Sequence, residues 1–196
     1  SGRGTSYTVL PNGSNGPLNG NFGGYQFTTT LDRKSFVIKF DAQGNLLWGS
    51  NAGVPGEWNY EGRATESTRN MTINGDELAV GTAFFNQLWG NYGITEQPAG
   101  AGFDPLLIRL NKNTGVPVGG HRIQGPNGFR EGLTAVETDK DGNYIVGGYI
   151  RNYLFTNGDG YVDPIVGQLM KATQGGGTDF FIAKLAKNTC NYANTD

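Results

Sequence analysis

The chain holds one cysteine, one histidine and two methionines among its 196 residues. A single thiol closes no disulfide within these residues, so oxidative stapling is not expected to stabilise this piece; Cys190 reads as an unpaired thiol in a terminal tail, the alternative being a partner in sequence beyond it. One imidazole, His121, follows Gly119-Gly120 and has no nearby Ser or Cys with which the sequence pairs it for nucleophilic chemistry. Charge is thin as well, with Lys, Arg, Asp and Glu at 16% and a formal net charge of −2. The 15 cations are scattered, which argues against a nucleic-acid surface, since phosphate binding needs clustered Lys and Arg. No apolar run approaches the ~20 residues of a membrane helix, so no membrane insertion is expected. No charged, apolar and cleavage-site sequence opens the chain, which fits either a processed piece or numbering that starts inside a longer polypeptide.

Glycine is abundant, at 33 residues, beside 12% aromatics and a 36% hydrophobic share. That balance disfavours helices built on Ala, Leu, Glu and Lys and supplies enough apolar surface for a core. An all-β fold follows, with one domain as the default at this length.

The strongest signal is repetition. Phe36-Val37-Ile38-Lys39-Phe40, Leu106-Leu107-Ile108-Arg109-Leu110 and Phe181-Ile182-Ala183-Lys184-Leu185 are apolar runs with one cation at the fourth place. The anchor cations are 70 and then 75 positions apart, and a fixed period of this kind marks stacked or radial repeat architecture. Asp41-Ala42-Gln43-Gly44-Asn45 and Asn111-Lys112-Asn113-Thr114-Gly115 follow the first two anchors as hairpin turns, because Gly and Asn reach positive φ at low cost. A second hairpin follows in each unit, around Asn74-Gly75-Asp76 and around Asp141-Gly142-Asn143. Glu61-Gly62 and Glu131-Gly132 recur at the same offset of 70. The sequence therefore predicts four short strands per unit in up-and-down order. Unit 1 spans about 35–85 and unit 2 about 105–155, with flanking strands near 6–10 and 180–185 and a polar tail over 186–196.

Asp-Phe-Phe-Ile-Ala-Lys-Leu at 179–185, Phe-Val-Ile-Lys-Phe-Asp-Ala-Gln-Gly-Asn-Leu-Leu-Trp at 36–48 and Thr-Asp-Lys-Asp-Gly-Asn-Tyr-Ile-Val-Gly-Gly-Tyr at 138–149 resemble the bacterial seven-bladed β-propeller repeat family. The likeness covers most of 35–185. It implies a secreted or cell-surface setting, as in Bacteroidota, where such propellers often precede a C-terminal sorting domain for type IX secretion. It also implies a partial β-propeller of four-stranded antiparallel blades, about two complete blades plus flanking strands. Family members close with about seven blades, and two units cannot close such a ring. An open propeller exposes sheet edges and an apolar face. The expected partners are accordingly other blades of the same polypeptide or a partner protein.

Specificity is expected in the long joins 86–103 and 152–178, which exceed the ~4–6 residues usual between elements. Trp89, Tyr92 and Tyr161 are the candidate ligand-binding aromatics there, suited to stacking on the apolar faces of sugar rings. Against this, Leu88-Trp89 and Leu154-Phe155 recur at equivalent places, which favours packing between neighbouring blades. Asn157, Asp159 and Asp163 alternate in a glycine-rich stretch, the spacing a hard cation such as Ca²⁺ requires. Gln168 stands where the twelfth-place acid would be, and Asx-type turns explain the same residues, so no cofactor is expected. Asp139 and Asp141 belong to a hairpin turn. Glu57, Glu61, Glu66 and Glu131 are the carboxylates near hairpin ends, but recurrence of Glu61 and Glu131 in successive units marks a structural role. The expectation is thus a non-catalytic propeller module of a larger secreted or cell-surface protein, acting as a scaffold, adhesion or protein-interaction platform. The alternatives are a glycan-binding propeller and a hydrolase whose site is completed by missing blades.

Overall fold

The computed structural model describes residues 18–29, 36–51, 70–84, 87–94, 104–123, 131–151, 153–154, 170–171 and 178–187. Among these residues every regular element is a strand and every pairing is antiparallel. β1 (Leu18–Phe22) and β2 (Tyr25–Thr29) form a hairpin, and β3 (Phe36–Phe40) and β4 (Leu46–Asn51) form a second. A four-stranded meander follows from β5 (Met71–Asn74), β6 (Glu77–Phe84), β9 (Asp104–Asn111) and β10 (Pro117–Arg122), interrupted in sequence by the hairpin β7 (Gln87–Trp89) and β8 (Tyr92–Ile94). β11 (Gly132–Thr138), β12 (Tyr144–Ile150) and β15 (Asp179–Leu185) make a three-stranded sheet, interrupted in the same way by β13 (Tyr153–Leu154) and β14 (Met170–Lys171).

The period of the sequence survives, but the sheets are out of phase with it by half a unit. The stretch 35–85 is not one sheet: β3–β4 and β5–β6 pair separately, and β6 bonds to β9 across the next unit boundary from Glu77↔Asn111 to Phe84↔Asp104. The stretch 105–155 is likewise divided, because β9–β10 belongs with β5–β6 and β11–β12 with β15. The expected flanking strand at 180–185 is β15, whereas the one near 6–10 lies outside the described residues. The joins read as loops carry the hairpins β7–β8 and β13–β14.

β9 shows why the layers stack. Its near-continuous apolar run has no polar face, the pattern of a strand covered on both sides. Leu106, Ile108 and Leu110 pack with Val37, Trp48, Val80 and Trp89 on one side. Leu107 faces the opposite way, with Ala79, Leu133, Val136, Tyr144, Val146 and Phe181. The β5–β6–β9–β10 sheet is therefore the middle layer between β3–β4 and β11–β12–β15. Gly81 permits the close approach of β11: a Cβ there would lie 2.6 Å from Val136 Cγ2 and 3.0 Å from Leu133 Cβ.

Asx turns close the hairpins. Asp41 Oδ1 accepts from the amides of Gln43 (2.9 Å) and Asn45 (2.8 Å). Asn111 Oδ1 accepts from Asn113 (2.9 Å) and Thr114 (3.1 Å), and Asp139 Oδ1 from Asp141 (2.9 Å) and Asn143 (2.8 Å). A short polar side chain thus replaces a backbone partner two residues on. The expectation that Asp139 belongs to a turn holds.

Candidate functional site

Polar side chains gather at the junctions between layers, where strand ends meet turns. At the first junction the carbonyl of Lys112, in the β9–β10 turn, accepts from Lys39 Nζ at 2.8 Å and from Trp48 Nε1 at 3.2 Å. Lys39 is the penultimate residue of β3, so an anchor cation of one layer grips a turn of the next. At the second junction Arg109 Nη1 lies 3.5 Å from the carbonyl of Lys187, just past β15. Lys112 and Lys187 each stand three residues beyond an anchor, and the contact repeats with the period.

The second junction carries further partners. Glu77 on β6 accepts from Arg109 Nη1 at 3.3 Å and from the Tyr144 hydroxyl at 2.6 Å. Burial, followed by this bond to a carboxylate, pushes the Tyr144 phenol up to about 12. Lys187 Nζ donates to the Asn74 carbonyl at 3.2 Å, and Asn74 Nδ2 donates to the Gly142 carbonyl at 2.6 Å. His121 on β10 sits nearby, and burial, then the Arg109 charge, holds its pKa below the ordinary imidazole range. A neutral imidazole and a carboxylate engaged by two donors hold the layers in register.

The predicted aromatics do not form one surface. Trp89 is 1% exposed and packs in the core with Val37, Trp48 and Leu106, which corrects its assignment as a ligand-binding residue. An indole enclosed on both faces has none left for a sugar. Burial pairs Trp89 with Leu154, which occupies the corresponding place in the next core cluster, one residue from the expected match of Trp89 with Phe155. Tyr92 stands opposite Trp89 in the hairpin and is 38% exposed. Tyr161, Asn157, Asp159 and Asp163 lie outside the described residues, as do Glu57, Glu61, Glu66 and Cys190. Among the described residues no group of three or more His, Cys, Asp or Glu side chains is placed to hold a metal ion. Glu131 is fully buried and its Oε1 accepts from the Arg151 amide at 3.4 Å, the role of a strand-end brace. Buried Asp104 braces the start of β9 through Arg122, with Nε at 2.7 Å and Nη2 at 2.6 Å from one carboxylate oxygen.

Glu77 and Lys187 carry no motif, and Asn74, Lys112 and Tyr144 show in the sequence only as turn or strand positions, so the contacts they make escape sequence reading. The recurring cation does show in the sequence, and its constant place in an apolar strand is the signal for the contact it makes. The fold defines an all-β protein of layered antiparallel meanders. Set beside known protein families, curated proteins and solved structures, the chain matches none.

Proposed function

We propose that this chain is a non-catalytic β-propeller module of a larger secreted or cell-surface bacterial protein, serving as a scaffold and protein-interaction platform. The observation that carries this reading is the recurrence of one contact at successive junctions, Lys39 to the Lys112 carbonyl and Arg109 to the Lys187 carbonyl. A contact repeated with the period builds blades, whereas a catalytic group has no reason to recur in every unit. The meander order β5–β6–β9–β10 suits a four-stranded blade, and β11–β12–β15 supplies three strands of another. The secreted or surface setting rests on the resemblance of 36–48, 138–149 and 179–185 to the bacterial repeat family. Burial of Trp89 counts against the glycan-binding alternative.

The test is the intact mass of the protein purified from its source, set against the 21.0 kDa of this sequence. A mass well above that value is expected, from further blades in the same polypeptide. A matching mass would refute the larger-module reading.

A further inference from the structure

We propose that Lys187 and Asn74 form an intramolecular isopeptide bond, the Lys187 amine displacing ammonia from the Asn74 carboxamide and joining the end of β5 covalently to the chain just past β15. The inference stands on the geometry of the second junction and does not depend on the propeller reading. Lys187 Nζ lies 3.5 Å from Asn74 Oδ1 and 3.2 Å from the Asn74 carbonyl oxygen, although the two residues stand 113 positions apart. The glycines of the turns fix the path of the lysine. A Cβ at Gly75 would stand 3.4 Å from Nζ, one at Gly142 would stand 3.9 Å from Lys187 Cδ, and both glycines have positive φ. The Lys187 backbone is held as well, its carbonyl lying 3.5 Å from Arg109 Nη1.

The carboxamide is equally constrained. Asn74 is 8% exposed, and its Nδ2 donates to the Gly142 carbonyl at 2.6 Å, which turns Oδ1 toward Lys187. A carboxamide resists amines in dilute solution, but holding the pair in place replaces the bimolecular encounter that limits the reaction there. The Tyr144 hydroxyl meets the same Asn74 side chain and donates to Glu77 at 2.6 Å, so a proton-carrying group stands at the reacting carbon. In the step, Nζ bonds to Asn74 Cγ, the Cγ–Nδ2 bond breaks and Nδ2 departs as ammonia. The proton shed by Nζ passes through the Tyr144 hydroxyl to the departing nitrogen. Amine and carboxamide become a secondary amide and ammonia, with no oxidant, reductant or co-reactant. The product is a covalent staple across the second junction, in a chain whose single cysteine closes none within these residues.

Intact-mass measurement and peptide mapping of the full 196-residue chain test this. The folded chain is expected about 17 Da below its sequence mass, the loss of one ammonia, and its digest contains a branched peptide joining Asn74 to Lys187. Chain held in denaturant from synthesis keeps its full mass, because the two residues meet only in the fold. Lys187→Arg retains the cation but forms no such amide, so its mass is undiminished and the branched peptide is absent. Tyr144→Phe slows the loss by about a hundredfold or more. Full mass in the folded chain, or a gain of about 1 Da from hydrolysis of the carboxamide, would overturn the bond. A deficit of about 17 Da that persists in Lys187→Arg comes from cyclisation of Asn74 onto the Gly75 amide and would overturn it too. An unchanged rate in Tyr144→Phe would overturn the proton relay.

Discussion

Gly81 and Gly147 occupy the same place in successive layers, and alanine has opposite consequences at the two. At Gly81 the added methyl meets Val136 Cγ2 at 2.6 Å and Leu133 Cβ at 3.0 Å, both on the strand of another sheet. Relief requires β11 to move away from β6 or Val136 to leave its rotamer, and overpacking of this kind costs about 1–3 kcal/mol. Removing a glycine stiffens the unfolded chain and returns about 0.4–1 kcal/mol. The net expectation is a loss of about 1–2 kcal/mol for Gly81→Ala. At Gly147 the nearest atoms stand at 3.6 and 3.9 Å, so only the favourable term remains in the monomer. There the expectation is a gain of up to about 1 kcal/mol. Urea denaturation followed by tryptophan fluorescence in dilute protein reads both, with an unchanged m-value showing that stability alone has moved. Placing Gly81→Ala in a Val136→Ala background removes the clashing methyl and recovers about 1 kcal/mol, the coupling of two residues in contact. Equal effects of the two glycine substitutions, or a stabilising Gly81→Ala, would refute the close approach of β11 to β6.

Other substitutions probe the junctions and the core. Trp89→Ala empties a core position and lowers stability by about 3–5 kcal/mol in the same assay; a loss under 1 kcal/mol would return Trp89 to the surface. Tyr144→Phe leaves Glu77 with Arg109 alone and costs about 1–2 kcal/mol. In an ultraviolet titration the Tyr144 phenol resists ionisation until about 12, because burial and the Glu77 carboxylate disfavour its anion. Lys39→Met removes one of the two donors on the Lys112 carbonyl and costs about 1 kcal/mol by thermal or urea unfolding, while Trp48 keeps the carbonyl partnered. His121 has a lowered folded-state pKa, so the unfolded chain takes up a proton that the folded chain resists. Its contribution is present above the ordinary imidazole value of about 6.5 and is lost as pH falls through about 6.5 toward 5. Denaturation midpoints measured from pH 7.5 to pH 5 check this, and His121→Gln flattens the difference.

The layering was legible where it depends on local pattern. Phe36-Val37-Ile38-Lys39-Phe40 and its two counterparts declare their strands, because an apolar run and a cation at fixed place are properties of five consecutive residues. Asp41, Asn111 and Asp139 declare their turns for the same reason. The assignment of strands to sheets was not legible, because the β6–β9 pairing joins residues on either side of the β7–β8 hairpin and nothing local distinguishes it from pairing within the preceding unit. Trp89 illustrates the limit for single side chains. Recurrence of Leu88-Trp89 with Leu154-Phe155 favours packing, but the neighbours that enclose the indole, Val37, Trp48 and Leu106, come from three other strands and are not legible beside it. The Glu77–Tyr144 bond spans 67 positions, so neither partner announces the other in the sequence.

The half-unit offset between sequence period and sheet bears on how the chain folds as it is synthesised. The β5–β6 hairpin is complete at Phe84, but the strand that covers its edge begins at Asp104. At about 5–20 residues per second, that edge waits roughly 1–4 seconds for β9 to emerge. Over that interval the ribosome carries a two-stranded ribbon with unpaired amides along Glu77–Phe84, able to accept any extended segment that meets it. The intervening β7–β8 hairpin can fold within microseconds and remain tethered close to that edge. The length of the join between Phe84 and Asp104 therefore sets how long that edge stays open.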